Sequence, residues 1–246
     1  MLMLALDSTG RAASCALLEE GTLLAETYGN IGFTHSETLL PLVLETLKTA
    51  RRTLAEVERM AVTVGPGSFT GQRIGVATAK GLAFPGEIPC VPVSALAAMG
   101  QLCPPVEGVL CPCMDARRSQ VYNALFEWRD GRLHRLAEDR ALSVEALGQE
   151  LLALGRPVWL TGDGAALCAA QFAATEAMKA LPIRLAPEHS RHQRALGAAL
   201  WAVAEGCEPI PPAELMPFYL RPPQAERERL ARGGEPGMPP TRDYLV

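Results

Sequence analysis

The chain has 246 residues, enough for one large domain or two small ones with real cores. Hydrophobic residues make up 48% and charged residues 20%, as in an ordinary soluble globular protein. A formal net charge of -4 argues against a protein that grips nucleic acid alone over a broad surface, but is compatible with a subunit of an RNA-acting complex.

The opening residues, MLMLALDSTG, lack a basic segment, and their apolar run is too short for a signal peptide. They read as a strand over 1–6 that begins the fold, followed by a turn at Asp7-Ser8-Thr9-Gly10. Strands are expected at 12–18 and 22–28, split by a hairpin turn at Glu19-Glu20-Gly21. A helix follows over 36–50. Thr34 and Glu37 have capping-box spacing, and Thr53 and Glu56 repeat it before a short helix. Next come a strand at 60–64, a helix at 68–84, a strand at 89–93 and a short helix at 94–102 capped by Ser94.

The second half repeats the order. Strands are expected at 109–114, 120–128 and 132–137, and a helix at 143–154 capped by Ser143. A strand at 157–161, a helix at 165–179, a strand at 182–185 and a helix at 190–205 complete it. Each half runs β-β-β-α-β-α-β-α, which suggests an α/β protein with a duplicated actin-like, ribonuclease-H-like fold. Its two subdomains, 1–103 and 104–221, would each carry a mixed sheet flanked by helices. Residues 222–246, rich in Pro, Gly and charge, read as a tail.

No stretch reaches the roughly 18 apolar residues of a membrane span. Seven cysteines are an odd number without framework spacing, so free thiols in a cytosolic protein are expected. Cys111 and Cys113 share one face of a strand. They read as core, with metal or redox chemistry as the alternative. His189 and His192 lie three apart without a carboxylate or cysteine motif beside them, and read as a solvated helix start rather than a metal site.

The stretch VTVGPGSFTGQRIGVATAKG, residues 62–81, has the strand, glycine loop and helix of many phosphate sites. A Walker A loop needs a lysine in G-x-x-x-x-G-K-[ST] to reach the phosphates, and none occurs before Lys80. The dinucleotide form fails as well, because Thr70 replaces its third glycine. A helix N-terminus after glycines still offers N–H groups to an anion. The following helix supplies another reason for its glycines. Gly71, Gly75 and Ala79 recur every four residues, a small-residue face that lets another helix come close. Arg73 and Lys80 share a further face. In the helix at 36–50, apolar residues from Leu39 to Ala50 span roughly 200°, about twice the stripe of an ordinary surface helix, and Pro41 should kink it. Both helices therefore read as an association surface or as internal core.

Two candidates for nucleotide chemistry remain. Asp7, at the end of the first strand, is placed to hold a metal–nucleotide in an actin-like fold. TGDGA at 161–165, with Gly162, Asp163 and Gly164, is a candidate loop, although strand-to-helix turns favour such residues anyway. In DARRSQVY, Arg117 and Arg118 lie on a polar turn, solvated or in contact with RNA or a partner.

LALDSTG, THSETLLP, VGPGSFTGQRIGVATAKGLA, VPVSALAAM, MDARRSQVY and PFYLR, in this order, resemble the TsaB (YeaZ) family over about residues 1–221. One departure is Gln72, where that family usually has an apolar residue. The resemblance implies an actin-like (ASKHA) fold, a cytoplasmic location and a part in making N6-threonylcarbamoyladenosine (t6A) beside the tRNA anticodon. It also implies a catalytic paralogue, TsaD, as partner, an ATPase, TsaE, joining them, and homodimers that resemble the heterodimer. The implied contact residues are His35, Ser36, Leu39, Leu40, Val43, Leu47, Phe69, Arg73, Ile74, Ala77 and Lys80. TsaD's two metal histidines correspond to Ala95 and Met99. Alanine has no donor and a thioether is a poor ligand for a hard metal, so no metal, cofactor or chemistry of its own is expected. The alternatives are an actin-like ATPase and, less favoured, a metal-dependent peptidase.

Overall fold

The computed structural model describes residues 1–32 and 34–221, so the expected tail at 222–246 lies outside the described residues. The first half runs β1 (Leu2–Asp7), β2 (Ala13–Glu19), β3 (Thr22–Gly29), α1 (His35–Thr49), β4 (Arg59–Gly65), α2 (Phe69–Ala83), β5 (Cys90–Ser94) and α3 (Ala95–Leu102). The second runs β6 (Val109–Asp115), β7 (Gln120–Arg129), β8 (Arg132–Ser143), α4 (Val144–Leu154), β9 (Val158–Thr161), α5 (Ala165–Ala174), β10 (Ile183–Leu185) and α6 (Ala195–Ala204).

Two five-stranded sheets result, ordered β3-β2-β1-β4-β5 and β10-β9-β6-β7-β8. In the first, β2 is antiparallel to β1 and β3, while β4 is parallel to β1 and β5. In the second, β7 is antiparallel to β6 and β8, and β9 is parallel to β6 and β10. The same order and the same strand senses occur twice, which is the duplicated actin-like fold.

Alternation along β1 shows how the layers form. Leu2, Leu4 and Leu6 join Leu39, Val43, Val76 and Ala79 beneath α1 and α2. Met3 and Ala5 point the other way, into a cluster with α3, α6 and the inner face of the second sheet, including Leu110, Ala124 and Phe126. The outer face of the second sheet is covered by Val144, Leu147, Cys168 and Phe172 of α4 and α5. Thus α6, from the second half of the chain, lies on the first sheet. Gly197 of α6 lets its backbone approach α3 so closely that a Cβ there would stand 2.1 Å from the Ala98 carbonyl.

Several boundaries differ from the sequence reading. β8 extends to Ser143 because its polar tail pairs with the start of β7, Gln120 opposite Ser143. The helix expected at 165–179 ends at Ala174, where Thr175 turns extended and a short 3-10 turn follows. The helix expected from residue 190 begins at Ala195, since Arg194 is extended with φ -144°. The Thr53 and Glu56 box forms as expected. The Thr34 box does not: the Thr34 hydroxyl donates to Glu37 Oε2 at 2.6 Å and caps no N–H. α1 runs through Pro41 as a single helix. Cys111 and Cys113 do share a buried face, in the outer core of the second sheet.

Candidate partner-binding face and the cleft between the sheets

The glycine loop after β4 is shaped by packing. Gly65 has φ +143°, and a Cβ there would lie 2.3 Å from the Phe218 carbonyl. Gly67 has φ +154°, and a Cβ there would lie 2.3 Å from the Thr9 carbonyl. The Ser68 N–H donates to that Thr9 carbonyl at 2.7 Å, and the Ser68 hydroxyl caps α2 through Gly71 N–H. Gln72, buried, lies under Gly65 with its Nε2 2.9 Å from the same Cβ position.

The small-residue face of α2 does not wait for another helix, which corrects the expectation from spacing. A Cβ on Gly71 would stand 2.0 Å from the Ser8 carbonyl, and one on Gly75 would stand 2.6 Å from Ser8 Oγ. Ser8 Oγ donates to the Gly71 carbonyl at 2.9 Å. The β1–β2 turn fills that groove.

The wide apolar arc of α1 is divided. Leu39, Val43 and Leu47, one row at i, i+4 and i+8, are buried against the sheet, so the expectation that they touch a partner is corrected. The adjoining row stays open: Leu40 is 44% and Leu44 58% exposed, with Ser36 exposed one turn before them. On α2, Arg73 and Ala77 are exposed, Phe69 and Lys80 are half-buried, and Ile74 packs partly on the core. His35 is half-buried, and its Nε2 hydrogen-bonds the Gly10 carbonyl at 2.9 Å, which ties the start of α1 to the β1–β2 turn.

A strap that the sequence reading gave no role runs along α2. Lys80 Nζ donates to the carbonyls of Ala213 and Leu215, and Leu215 is buried in the core. The Phe218 N–H donates to Val64. Tyr219 stacks on Phe69 at 4.7 Å between ring centres, and its hydroxyl accepts from Arg73 Nε at 2.9 Å. The Arg73 guanidinium lies 4.0 Å over the Phe69 ring. The motif PFYLR held this signal, but no periodicity marked it.

Where the strand ends of the two sheets face each other, a cleft of about 360 Å³ is lined by Thr9, Gly10, Arg11, Gly67, Ser68, Asp115, Arg117 and Asp163, among others. Of the nucleotide candidates only Asp163 lines it. Its Oδ1 accepts the Asp115 N–H at 3.1 Å, and burial pushes its carboxyl above the usual range. Gly162 and Gly164 are packed on β6: a Cβ at Gly162 would stand 2.0 Å from the Cys113 carbonyl, and Gly164 N–H donates to that carbonyl. Their smallness serves this approach, not an open phosphate loop.

Asp7 is buried behind the cleft. Its Oδ1 accepts from Thr9 N–H and Thr9 Oγ1, both at 2.8 Å, and its Oδ2 has no hydrogen-bond partner among the described residues. Burial raises its carboxyl pKa by more than the bonds from Thr9 lower it. A raised folded value means that the folded chain holds a proton the unfolded chain releases. The stability from Asp7 is therefore full below the unfolded value of about 3.9 and is lost as pH rises through the folded one. Asp7→Asn is expected to melt above the parent at neutral pH, with the gap closing as pH falls toward about 4. Thermal unfolding across that range checks it; a variant less stable at neutral pH would show that the carboxylate supports the fold.

Ala95 and Met99 lie in the apolar cluster between the sheets, both almost wholly buried. Among the described residues no helix is long and apolar enough to cross a membrane.

A family model for TsaD, tRNA N6-adenosine threonylcarbamoyltransferase, matches residues 31–188. The chain is 33% identical over 167 residues to the tRNA threonylcarbamoyladenosine biosynthesis protein TsaB of Bacillus subtilis (strain 168), covering 68% of this chain and 73% of that one. It is 32% identical over 163 residues to TsaB of Escherichia coli (strain K12), covering 65% and 70%. The solved structure of YeaZ from Pseudomonas aeruginosa matches with a TM-score of 0.69 at 28% identity, covering 89% of this chain and 100% of that one. The chain belongs to the TsaB (YeaZ) family of tRNA threonylcarbamoyladenosine biosynthesis proteins.

Proposed function

We propose that this chain is a non-catalytic subunit of the t6A system that binds and activates TsaD for threonylcarbamoyl transfer to tRNA, with TsaE joining the pair. The observation that carries the reading is the open row of Leu40 and Leu44 on α1, in a chain of this family. Large apolar side chains left exposed one turn apart on a helix form the kind of surface that a protein partner desolvates. Ala95 and Met99 support the non-catalytic part. The places that the family resemblance gives to metal histidines are filled here by apolar core.

The purified chain, mixed with TsaD of the same source, should elute as a heterodimer. Leu40→Glu should weaken association by about 2 kcal/mol or more, roughly thirtyfold, while barely moving the chain's own melting temperature. Calorimetric titration of TsaD into each form measures it. Unchanged affinity in Leu40→Glu would sink this face as the interface.

A further inference from the structure

We propose that the arginines around the mouth of the cleft form a contact for the phosphodiester backbone of RNA. Arginines from three separate segments meet there. Arg11, in the β1–β2 turn, and Arg117, in the β6–β7 turn, line the cleft. Arg118 follows Arg117 on that turn, and Arg221, at the end of the strap, donates through Nη1 to the Ala116 carbonyl at 3.2 Å. Two carboxylates, Asp115 and Asp163, also line the mouth. Asp115 is engaged by the N–H and guanidinium of Arg117, and Asp163 by the N–H of Asp115.

The chain as a whole carries a net charge of -4, so this gathering of positive charge is a local segregation. Arg11, Arg117 and Arg118 are exposed, and Arg11 and Arg118 make no ion pair among the described residues. The turn that presents two of them is a tight one. Gln120 N–H closes on the Arg117 carbonyl and Ala116 N–H on the Gln120 carbonyl. Arg117, Arg118 and Ser119 all take positive φ, +66°, +55° and +54°. Guanidiniums exposed on a short turn, with the Ser68 hydroxyl also at the cleft, suit successive phosphates of a polyanion. RNA is the polyanion at hand if the chain serves tRNA modification, so this inference rests on the function proposed above.

The test is fluorescence anisotropy with a labelled, unmodified tRNA transcript and the full chain, over a range of salt. The parent should bind with a clear salt dependence. Arg117→Glu/Arg118→Glu should lose at least about tenfold in affinity at low salt and lower the salt slope by about 2. Arg132→Glu, at the opposite end of β7 and β8 roughly 30 Å away, should bind like the parent. Three results would overturn the proposal: affinity weaker than about 100 µM at low salt, a double variant within about twofold of the parent, or an equal loss in Arg132→Glu. Displacement of the transcript by micromolar ATP with magnesium would assign the arginines to a free nucleotide instead, and overturn it too. TsaD titrations of the same variants separate this outcome from failure of the proposed function, because the double variant should pair with TsaD as the parent does.

Discussion

Arg135→Met is expected to cost the fold about 3–5 kcal/mol, the largest loss foreseen for a single side chain here. Arg135 donates through Nη1 to Asp139 at 2.6 Å, with side chains only 12% and 6% exposed. Its guanidinium sits 4.8 Å from the Phe126 ring centre and 5.9 Å from that of Trp201, between the rings that join β7 to α6. Asp139 also accepts from the Ser94 hydroxyl at 2.5 Å, the same hydroxyl that caps α3 through Ala97 N–H. Burial already pushes the Asp139 carboxyl above the usual range, against the pull of Arg135. Without the arginine, a buried charge is left with one hydroxyl. Because the folded value is raised, the folded chain binds the extra proton, so stability returns as pH falls and is full below about 3.9. Chemical denaturation at neutral and acid pH should thus show a variant much weaker than the parent at pH 7 and closer to it under acid. Arg135→Met/Asp139→Leu should recover most of the loss, since well-packed apolar pairs replace buried ion pairs at little cost. A single variant within about 1 kcal/mol of the parent at neutral pH would mean that the pair is not buried as described.

Two alanines in α2 should move stability in opposite directions. Gly81 is exposed, and a Cβ there meets nothing within 4 Å, so Gly81→Ala should stabilise by about 1 kcal/mol through helix propensity. Gly71→Ala gains the same propensity, yet its Cβ would enter the Ser8 carbonyl at 2.0 Å. A backbone oxygen cannot swing aside, and overpacking of this kind outweighs the gain, leaving a net loss of about 2 kcal/mol. Urea unfolding of both variants distinguishes the cases. If Gly71→Ala also stabilised, α2 would not be seated on the β1–β2 turn.

The same pair shows what the sequence discloses. That Gly71, Gly75 and Ala79 form a small face follows from spacing alone. What fills the groove depends on a turn some 60 residues away, and spacing carries no sign of Ser8. α1 behaves likewise. Its broad apolar arc was legible, but its division into a buried row with Leu39 and an open row with Leu40 depends on where the sheet lies. The start of α6 was misread because its cap is not local: Ala195 N–H is taken by Ser14 Oγ, 181 residues earlier in the chain. Strands that are short apolar runs closed by a turn signal, such as β1, and helices with their own serine caps, α3 and α4, were legible to within a residue or two. The strap at 211–219 was not, since it is held by carbonyls given to Lys80 and by one aromatic stack, neither of which has a period.

The position of α6 on the first sheet sets an order of events during synthesis. β1 to β5 leave the ribosome first, and one face of their sheet, with Met3, Ala5, Ala61, Val91 and Val93, is apolar. α3 follows at once and covers part of it. The remaining cover, Ala195 to Ala202 of α6, emerges about 100 residues after β5, a delay of about 5 to 20 s at ordinary elongation rates. For that interval the nascent first half carries an unfinished surface, and its completion is timed by translation of the second half.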